Sequence, residues 1–327
     1  MCSMYDRMQS FKLENRPDEL DALTIKKVIK EAFDMGVTSL ILIGGEPFLS
    51  PELFELISFA KRCGIRGVTV VTNGTLLSEE IIGKIFDCNL DNLSVSIDAA
   101  SEDTFARIRG ENVFNKVIAN INLLNSIKEK QNRISPGIVC VCTIMNQNVE
   151  EILEIVSLCK RLKISRIIFQ PVVSDNTDQN KPGFGASVFI PPDRYGILDR
   201  AVDSLIKYKL SSRENFGFIA NSTKHLSLIR KYFRGRLNPR VIPCYSGYNR
   251  IQIVQEGKVY FCVNQAKYQA AFGDIKNESL RKIWFSKYSR FCRNQIKRCN
   301  FPCLQWCAYR DEFIELREAW QKKLIFK

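Results

Sequence analysis

The stretch Ser39-Leu40-Ile41-Leu42-Ile43-Gly44-Gly45-Glu46-Pro47 decides how the rest of the chain is read. Its five leading residues form a short apolar run bounded by glycine and proline, the signature of a buried strand. Gly44 and Gly45 leave the backbone at the strand's end uncovered, so a ligand can approach the main chain. Pro47 biases Glu46 towards an extended conformation, which delays the next helix. Glycine carbonyls beside a carboxylate make a receptor for a positively charged amine at the C-terminal rim of a sheet, where α/β proteins bind ligands. A tight strand-to-helix turn is the plainer reading of the same residues.

Working outward, the chain alternates strand and helix. Ile25, Val28, Ile29, Ala32 and Phe33 recur at helical spacing before the first strand, with Thr24 as the expected N-cap and Gly36 as the stop. After Pro47 come a helix over 51–62, a strand over 68–72 ending at Asn73-Gly74, and a helix opened by Ser78. A strand over 93–97, helices within 102–130, a strand over 138–144, a helix over 149–162 and a strand over 166–170 follow. This order predicts βαβ units and five parallel strands. Ser94, Ser96 and Asp98 share one strand face, Val95 and Ile97 the other, and Thr72 and Thr143 end apolar strands. Polar residues near one rim predict an open, partial barrel with a solvated or ligand-filled lumen. Cys140 and Cys142 alternate away from Thr143 and read as core thiols.

The 327 residues suffice for one large domain and a smaller one, and 45% hydrophobic content supplies a core. Neither a long apolar span nor a signal peptide is indicated, which places the expected protein in the cytoplasm. There, twelve cysteines read as metal ligands or core thiols rather than a disulfide framework. The net charge of +13 lies largely on helix faces such as that of Lys26, Lys27 and Lys30. Without aromatic-basic interleaving of the kind found in RNA-binding sheets, nucleic acid is not the expected partner. Residues 171–192 read as a long loop leaving the rim, followed by helices over 193–209 and 222–233. The single histidine, His225, reads as a surface or packing residue, so histidine acid-base catalysis is not the main expectation.

Cysteines crowd the C-terminal end. Cys244 and Cys262 flank a hairpin, with Gly257 at the turn after Gln255-Glu256. Cys299, Cys303 and Cys307 follow in nine positions. Two thiolates from the hairpin and two from this knuckle complete a four-thiolate metal site, leaving one of the three over. Zinc accepts such a set, but its knuckles usually pair two C-x2-C motifs, whereas the first pair here is eighteen apart; with the barrel beside it, iron-sulfur is the favoured reading.

Taken in order, Gly44-Gly45-Glu46-Pro47, Thr72-Asn73-Gly74, Ser94 to Asp98, Arg107-Ile108-Arg109-Gly110 and Thr143-Ile144-Met145-Asn146 resemble the radical S-adenosylmethionine (radical SAM) enzymes. The C-x12-G-x4-C pattern and the knuckle resemble their SPASM or twitch extension. The resemblance implies a partial (βα)6 radical SAM barrel over 1–192, lacking its first strand, and connecting helices over 193–240. A small cysteine-rich α+β domain over 241–310 and a terminal helix over 311–327 complete it.

It also implies a three-cysteine [4Fe-4S] cluster binding S-adenosylmethionine, whose cleavage to a 5′-deoxyadenosyl radical abstracts a substrate hydrogen. One or more auxiliary [4Fe-4S] clusters would rest on Cys244, Cys262, Cys299, Cys303 and Cys307. By position, Gly44, Gly45 and Glu46 would hold the methionyl amine, Ser96 and Asp98 the ribose side, Arg109 the carboxylate, and Phe169 and Gln170 the adenine. Thr72, Asn73, Thr143 and Asn146 belong to the same expected cofactor side. The family's cluster motif is C-x3-C-x2-C, and Cys2 stands at its third position. The expectation is therefore that two ligands and the first strand precede Met1, and that the chain as written does not cleave the cofactor. The implied activity is oxidation of a peptide or a sugar-like small molecule, with a flavodoxin or ferredoxin as electron donor. The alternatives are an inactive metal-binding scaffold and, third, a zinc-stabilised nucleic-acid binder.

Overall fold

The structure, a computed structural model, describes residues 19–173, 188–238, 244–262, 271–299 and 303–305. It opens with helix α1 (Ala22–Asp34). The cap is Asp21 rather than Thr24: the Asp21 carboxylate accepts the Thr24 N–H at 2.6 Å, so the helix is capped three residues earlier than expected. A five-stranded parallel sheet follows in the order β1 (Ser39–Leu42), β2 (Gly67–Thr72), β3 (Asn92–Ser96), β4 (Gly137–Ile144) and β5 (Arg166–Pro171). The crossovers are helices α2 (Leu53–Cys63), α3 (Glu79–Asp87), α4 (Glu102–Arg109), α5 (Phe114–Lys130) and α6 (Ile152–Arg161). Ser78 caps α3 as its position before two glutamates predicts. Strand order equals chain order, so every crossover reaches the next strand and all five C-terminal ends share one rim.

Register sorts the strand residues into two faces. Val70 pairs with Leu93, Val95 with Cys140 and Cys142 with Phe169, and these residues are buried against the helices. On the opposite face, Val71 pairs with Ser94, Ser96 with Val141 and Thr143 with Gln170. Thr72 pairs with Val95, so it lies on the helix side, not beside Thr143. β1 departs from the expected buried strand: Ile41 is 46% exposed and Ile43 68%. It ends the strand order, so among the described residues it has a sheet neighbour on one side only.

Beyond β5 come α7 (Tyr195–Leu210), α8 (Arg213–Phe218) and α9 (Thr223–Phe233), which pack into the same core. A second sheet is antiparallel: β6 (Gln252–Ile253), β7 (Lys258–Tyr260) and β8 (Gly273–Asp274). The first two form the expected hairpin, with Gly257 at φ 87° where a side chain would be strained. Helices α10 (Leu280–Phe285) and α11 (Lys287–Lys297) complete this unit. Its own small core, with Val259, Phe261, Phe272 and Ile283, packs against Val28, Ala32 and Met35 of α1 and the residue after it. The Glu31 carboxylate accepts the Leu280 N–H at 2.6 Å, and Leu20 N–H donates to Gln255 O at 2.9 Å. The first barrel helix is thus the seat of the C-terminal unit. Among the described residues, no helix is long and apolar enough to cross a membrane.

Candidate functional site

The turn after β1 leaves Gly44 and Gly45 exposed, and a Cβ at Gly44 would meet nothing within 4 Å. Packing does not demand glycine there; the result is bare backbone at the rim. Glu46 is extended (φ −131°, ψ 108°), as the following proline requires, and its carboxylate is held by three donors. Oε1 accepts the Phe48 N–H at 3.3 Å and the Thr72 hydroxyl at 2.8 Å; Oε2 accepts the Asn73 N–H at 2.9 Å. Glu46 therefore stitches the end of β1 to the end of β2. Of a carboxylate's roughly four acceptor positions, about one is left for a ligand. Asn73 turns inward on its own loop, its Oδ1 accepting both the N–H and the hydroxyl of Thr75.

At the rim of β3 and β4, Asp98 is 1% exposed. Its Oδ1 accepts the Thr143 N–H at 2.7 Å, and its Oδ2 pairs with Arg109 Nη2 at the end of α4. A carboxylate this deeply buried requires a counter-charge. Asp98 and Arg109, expected to serve separate parts of a ligand, are thus one ion pair. Arg109 Nε is buried without a hydrogen-bond partner. A guanidinium has five donors, so this pair keeps an unsatisfied donor at the rim.

Ser96 lies in the same face row, half-buried, and Gln170 pairs with Thr143 on that face. Phe169 does not join them. Alternation turns it to the helix side, where it is fully buried. Asn146 is likewise occupied elsewhere: its carbonyl and Oδ1 accept from Arg194 at 2.8 and 2.6 Å.

Two residues that the sequence reading passed over hold this rim together. Asn148 is fully buried, donates from Nδ2 to the carbonyls of Asp98 (2.7 Å) and Thr143 (2.8 Å), and accepts the Met145 N–H. Glu151 accepts the Ala100 N–H and the hydroxyls of Ser101 and Thr104. Burial works against its charge, but the Thr104, Ala100 and Ser101 hydrogen bonds outweigh it and hold the carboxyl below its usual range. The available signal was the Asn-Gln-Asn run between a strand and a helix, where side-chain amides replace missing backbone partners.

The cysteines fall into two groups. Cys140 and Cys142 are fully buried, as alternation predicts, and burial pushes both thiols well above their ordinary range; the nearby Asp98 charge adds to this. Cys244, Cys262, Cys299 and Cys303 are half-buried in the C-terminal unit. Among the described residues no three Cys, His, Asp or Glu side chains gather closely enough to hold a metal ion. Cys2 and Cys307 lie outside the described residues. Cys292 belongs to the small core, and burial raises its thiol.

His225 proves to be a packing residue of a particular kind. Fully buried, it contacts Asn221 Nδ2 through Nδ1 at 2.6 Å and Leu304 O through Nε2 at 3.0 Å. Asn221 brackets the β5 backbone, accepting the Phe169 N–H and donating to Phe169 O, both at 2.7 Å. That bracket fixes the amide's orientation, so Nδ1 of His225 accepts and Nε2–H donates to Leu304. Gln305 Nε2 also donates to Pro171 O at 2.9 Å. The segment beside Cys303 is therefore tied to the end of β5.

These residues fit the expected groups in chemistry. An orphaned guanidinium donor and bare glycine backbone at the rim suit an amino acid's carboxylate and amine, and the half-buried thiols are the donor class of an iron-sulfur cluster. Comparison with known proteins agrees. The radical SAM superfamily profile matches residues 1–159, and an iron-sulfur cluster-binding (SPASM) domain matches 244–309. A probable GTP 3′,8-cyclase from Saccharolobus islandicus is 27% identical over 248 residues, 74% of this chain and 72% of that protein. Among solved structures, Streptococcus suis SuiB bound to S-adenosylmethionine superposes with a TM-score of 0.60 at 15% identity. That match covers 86% of this chain but only 61% of SuiB. Native anSMEcpe with bound AdoMet and Cp18Cys peptide gives 0.61 at 15% identity, covering 93% of this chain and 90% of that one. The chain belongs to the radical SAM superfamily, carries a C-terminal SPASM domain, and has S-adenosylmethionine and [4Fe-4S] clusters as its cofactors.

Proposed function

We propose that this protein abstracts hydrogen from a peptide substrate and that its SPASM cluster takes up the electron released. S-adenosylmethionine bound at a reduced [4Fe-4S] cluster supplies the hydrogen-abstracting chemistry. The chain's own residues bind and orient it. Gly44 and Gly45 offer backbone to the methionyl amine, and Glu46 holds their turn in place. Arg109, aimed by its ion pair with Asp98, offers its spare donor to the carboxylate. Ser96 and Gln170 line the same face for the nucleoside; Phe169 supports that face from behind. Cys244, Cys262, Cys299, Cys303 and Cys307 are the candidate ligands of the auxiliary cluster.

The observation that carries the cofactor assignment is the buried, unpartnered Nε of Arg109 beside Asp98. The peptide reading rests on the near-complete coverage of a peptide-bound fold relative, C-terminal unit included. The 27% identity to a probable GTP cyclase supports a second reading, a nucleotide substrate. Equilibrium dialysis of S-adenosylmethionine against the reconstituted protein tests the cofactor assignment. Arg109→Gln should weaken binding about tenfold or more, the effect of losing a charge-assisted hydrogen bond. Unchanged affinity would remove Arg109 from the site. Binding of GTP, with no binding of short peptides, would favour the second reading.

A further inference from the structure

The C-terminal unit carries a surface that the cofactor chemistry does not use. From Leu280 to Arg298 the chain has seven basic residues (Arg281, Lys282, Lys287, Arg290, Arg293, Lys297, Arg298) and no acidic one. All but Arg293 are exposed. Arg293 instead lies against the Phe261 and Trp284 rings and donates to Gly247 O and Trp284 O, which fixes α11 to its domain. The same surface exposes large aromatic rings: Phe285 by 60%, Phe291 by 54% and Tyr288 by 46%. Tyr245 and Tyr248 are exposed as well. Only one further aromatic residue, Phe33, is comparably exposed among the described residues, so the concentration is local.

The exposed rings follow α10 and then α11. Arg281 lies 5.6 Å from the Phe285 ring at one end, Tyr288 and Phe291 stack at 6.0 Å and 9° in the middle, and Lys297 lies 5.6 Å from the Tyr248 ring at the other. This helix does interleave basic and aromatic residues, a pattern the sequence reading sought only on a sheet. A single-stranded nucleic acid needs separate free ring faces as stacking platforms. Here four of the five rings are engaged: Tyr288 and Phe291 stack on each other, and Phe285 and Tyr248 lie beside the chain's own cations. Exposed aromatic area rimmed by arginine and lysine instead matches the centre and rim of a protein interface. Lys282 is paired with Glu278 at 2.7 Å; the positive charge of the remaining residues selects an acidic partner and steers its approach.

We propose that the α10–α11 face docks a small acidic electron-carrier protein that exchanges electrons with the SPASM cluster. This rests on the proposed role of that cluster in electron uptake. The position supports it: α11 runs directly into Arg298 and Cys299, so the docked carrier sits against the cysteine-bearing segment. In each transfer the reduced cluster gives one electron and the oxidised carrier accepts it. No bond forms or breaks.

The test uses the full chain with clusters reconstituted anaerobically, and purified oxidised flavodoxin as the acidic probe. Wild type should bind it with an affinity that falls as salt rises from about 50 mM to about 300 mM, as expected for exposed charges. Lys287→Glu with Arg290→Glu should weaken binding by about tenfold or more, and Phe291→Ala should weaken it at unchanged salt dependence. Iron content and visible absorption of the variants should equal those of wild type. Equal flavodoxin affinity in wild type and the charge-reversal variant would overturn the proposal. So would tighter binding of a single-stranded oligonucleotide to the same face. If wild type binds flavodoxin in this manner but holds no iron in the SPASM domain, the electron-uptake reading fails while the docking surface stands.

Discussion

The thiols of the barrel and those of the C-terminal unit are the same functional group in opposite circumstances. Cys140 and Cys142 stand on β4 with no accessible surface, and burial keeps them protonated far above neutral pH. Cys244, Cys262, Cys299 and Cys303 are half-buried on loops and helix ends of a small unit. Only a thiolate binds iron, so burial on a strand removes a cysteine from metal chemistry as effectively as mutation would. The position of a cysteine within the fold decides what that cysteine can do.

The sharpest way to break this contrast is to delete thiols from each group and count iron. Cys244→Ala with Cys262→Ala should remove one [4Fe-4S] cluster, about four irons per chain. Cys140→Ala with Cys142→Ala should leave the iron content unchanged. Iron loss in the second pair would show that burial does not decide the matter.

Next in size is the tie between the two regions. His225→Leu leaves the Leu304 carbonyl and an Asn221 N–H without their buried partner, which should lower stability by about 1–3 kcal/mol in denaturant titration. His225→Gln, which can still donate to Leu304, should recover part of the loss. No destabilisation by Leu would mean that Leu304 is held by other contacts. Cys142→Ala should then cost about 1–2 kcal/mol through the small cavity it leaves in the packed core. The same change at the half-buried Cys244 or Cys299, with clusters absent, should cost less.

A further effect, confined to alkaline pH, is on pH dependence. Cys88 has a buried thiol pushed up from 9.0 to about 11. The unfolded chain therefore releases its proton first, and stability, full below about pH 9, should decline as pH rises towards about 11. Denaturation midpoints at pH 8 and pH 10.5 check this, and Cys88→Ala should flatten the decline. A steeper decline in the variant would contradict the assigned sign.

Much of the architecture was legible because it follows from periodicity. Five apolar strands separated by amphipathic helices allow a parallel sheet, and Ser78 before two glutamates or Gly257 in a short hairpin marks its own place. Alternation also placed Cys140 and Cys142 correctly. What was not legible depends on contacts distant in sequence. Asp98 and Arg109 could be selected individually, but their pairing with each other depends on how α4 returns to the rim. Phe169 and Gln170 read as neighbours in sequence, yet a strand sends them to opposite faces, a consequence available from the pleat alone. Asn148 and Glu151 escape because their roles are to satisfy backbone and hydroxyl groups of neighbouring segments, which leave no pattern in composition. β1 read as buried because its residues are apolar; its exposure is a property of its place in the strand order.

The bracket around β5 has a consequence for solubility. The last strand of an open sheet presents unpaired backbone groups to which another chain can add as a further strand. Here that row is closed by fragments: Ala220 N–H binds Ile167 O, Asn221 binds both groups of Phe169, and Gln305 and Tyr232 reach the carbonyls of Pro171 and Val172. Side chains from two distant segments thus act as a guard strand. A loss of the Leu304–Gln305 contacts would expose part of that edge, and self-association, before loss of catalysis, would be its first sign.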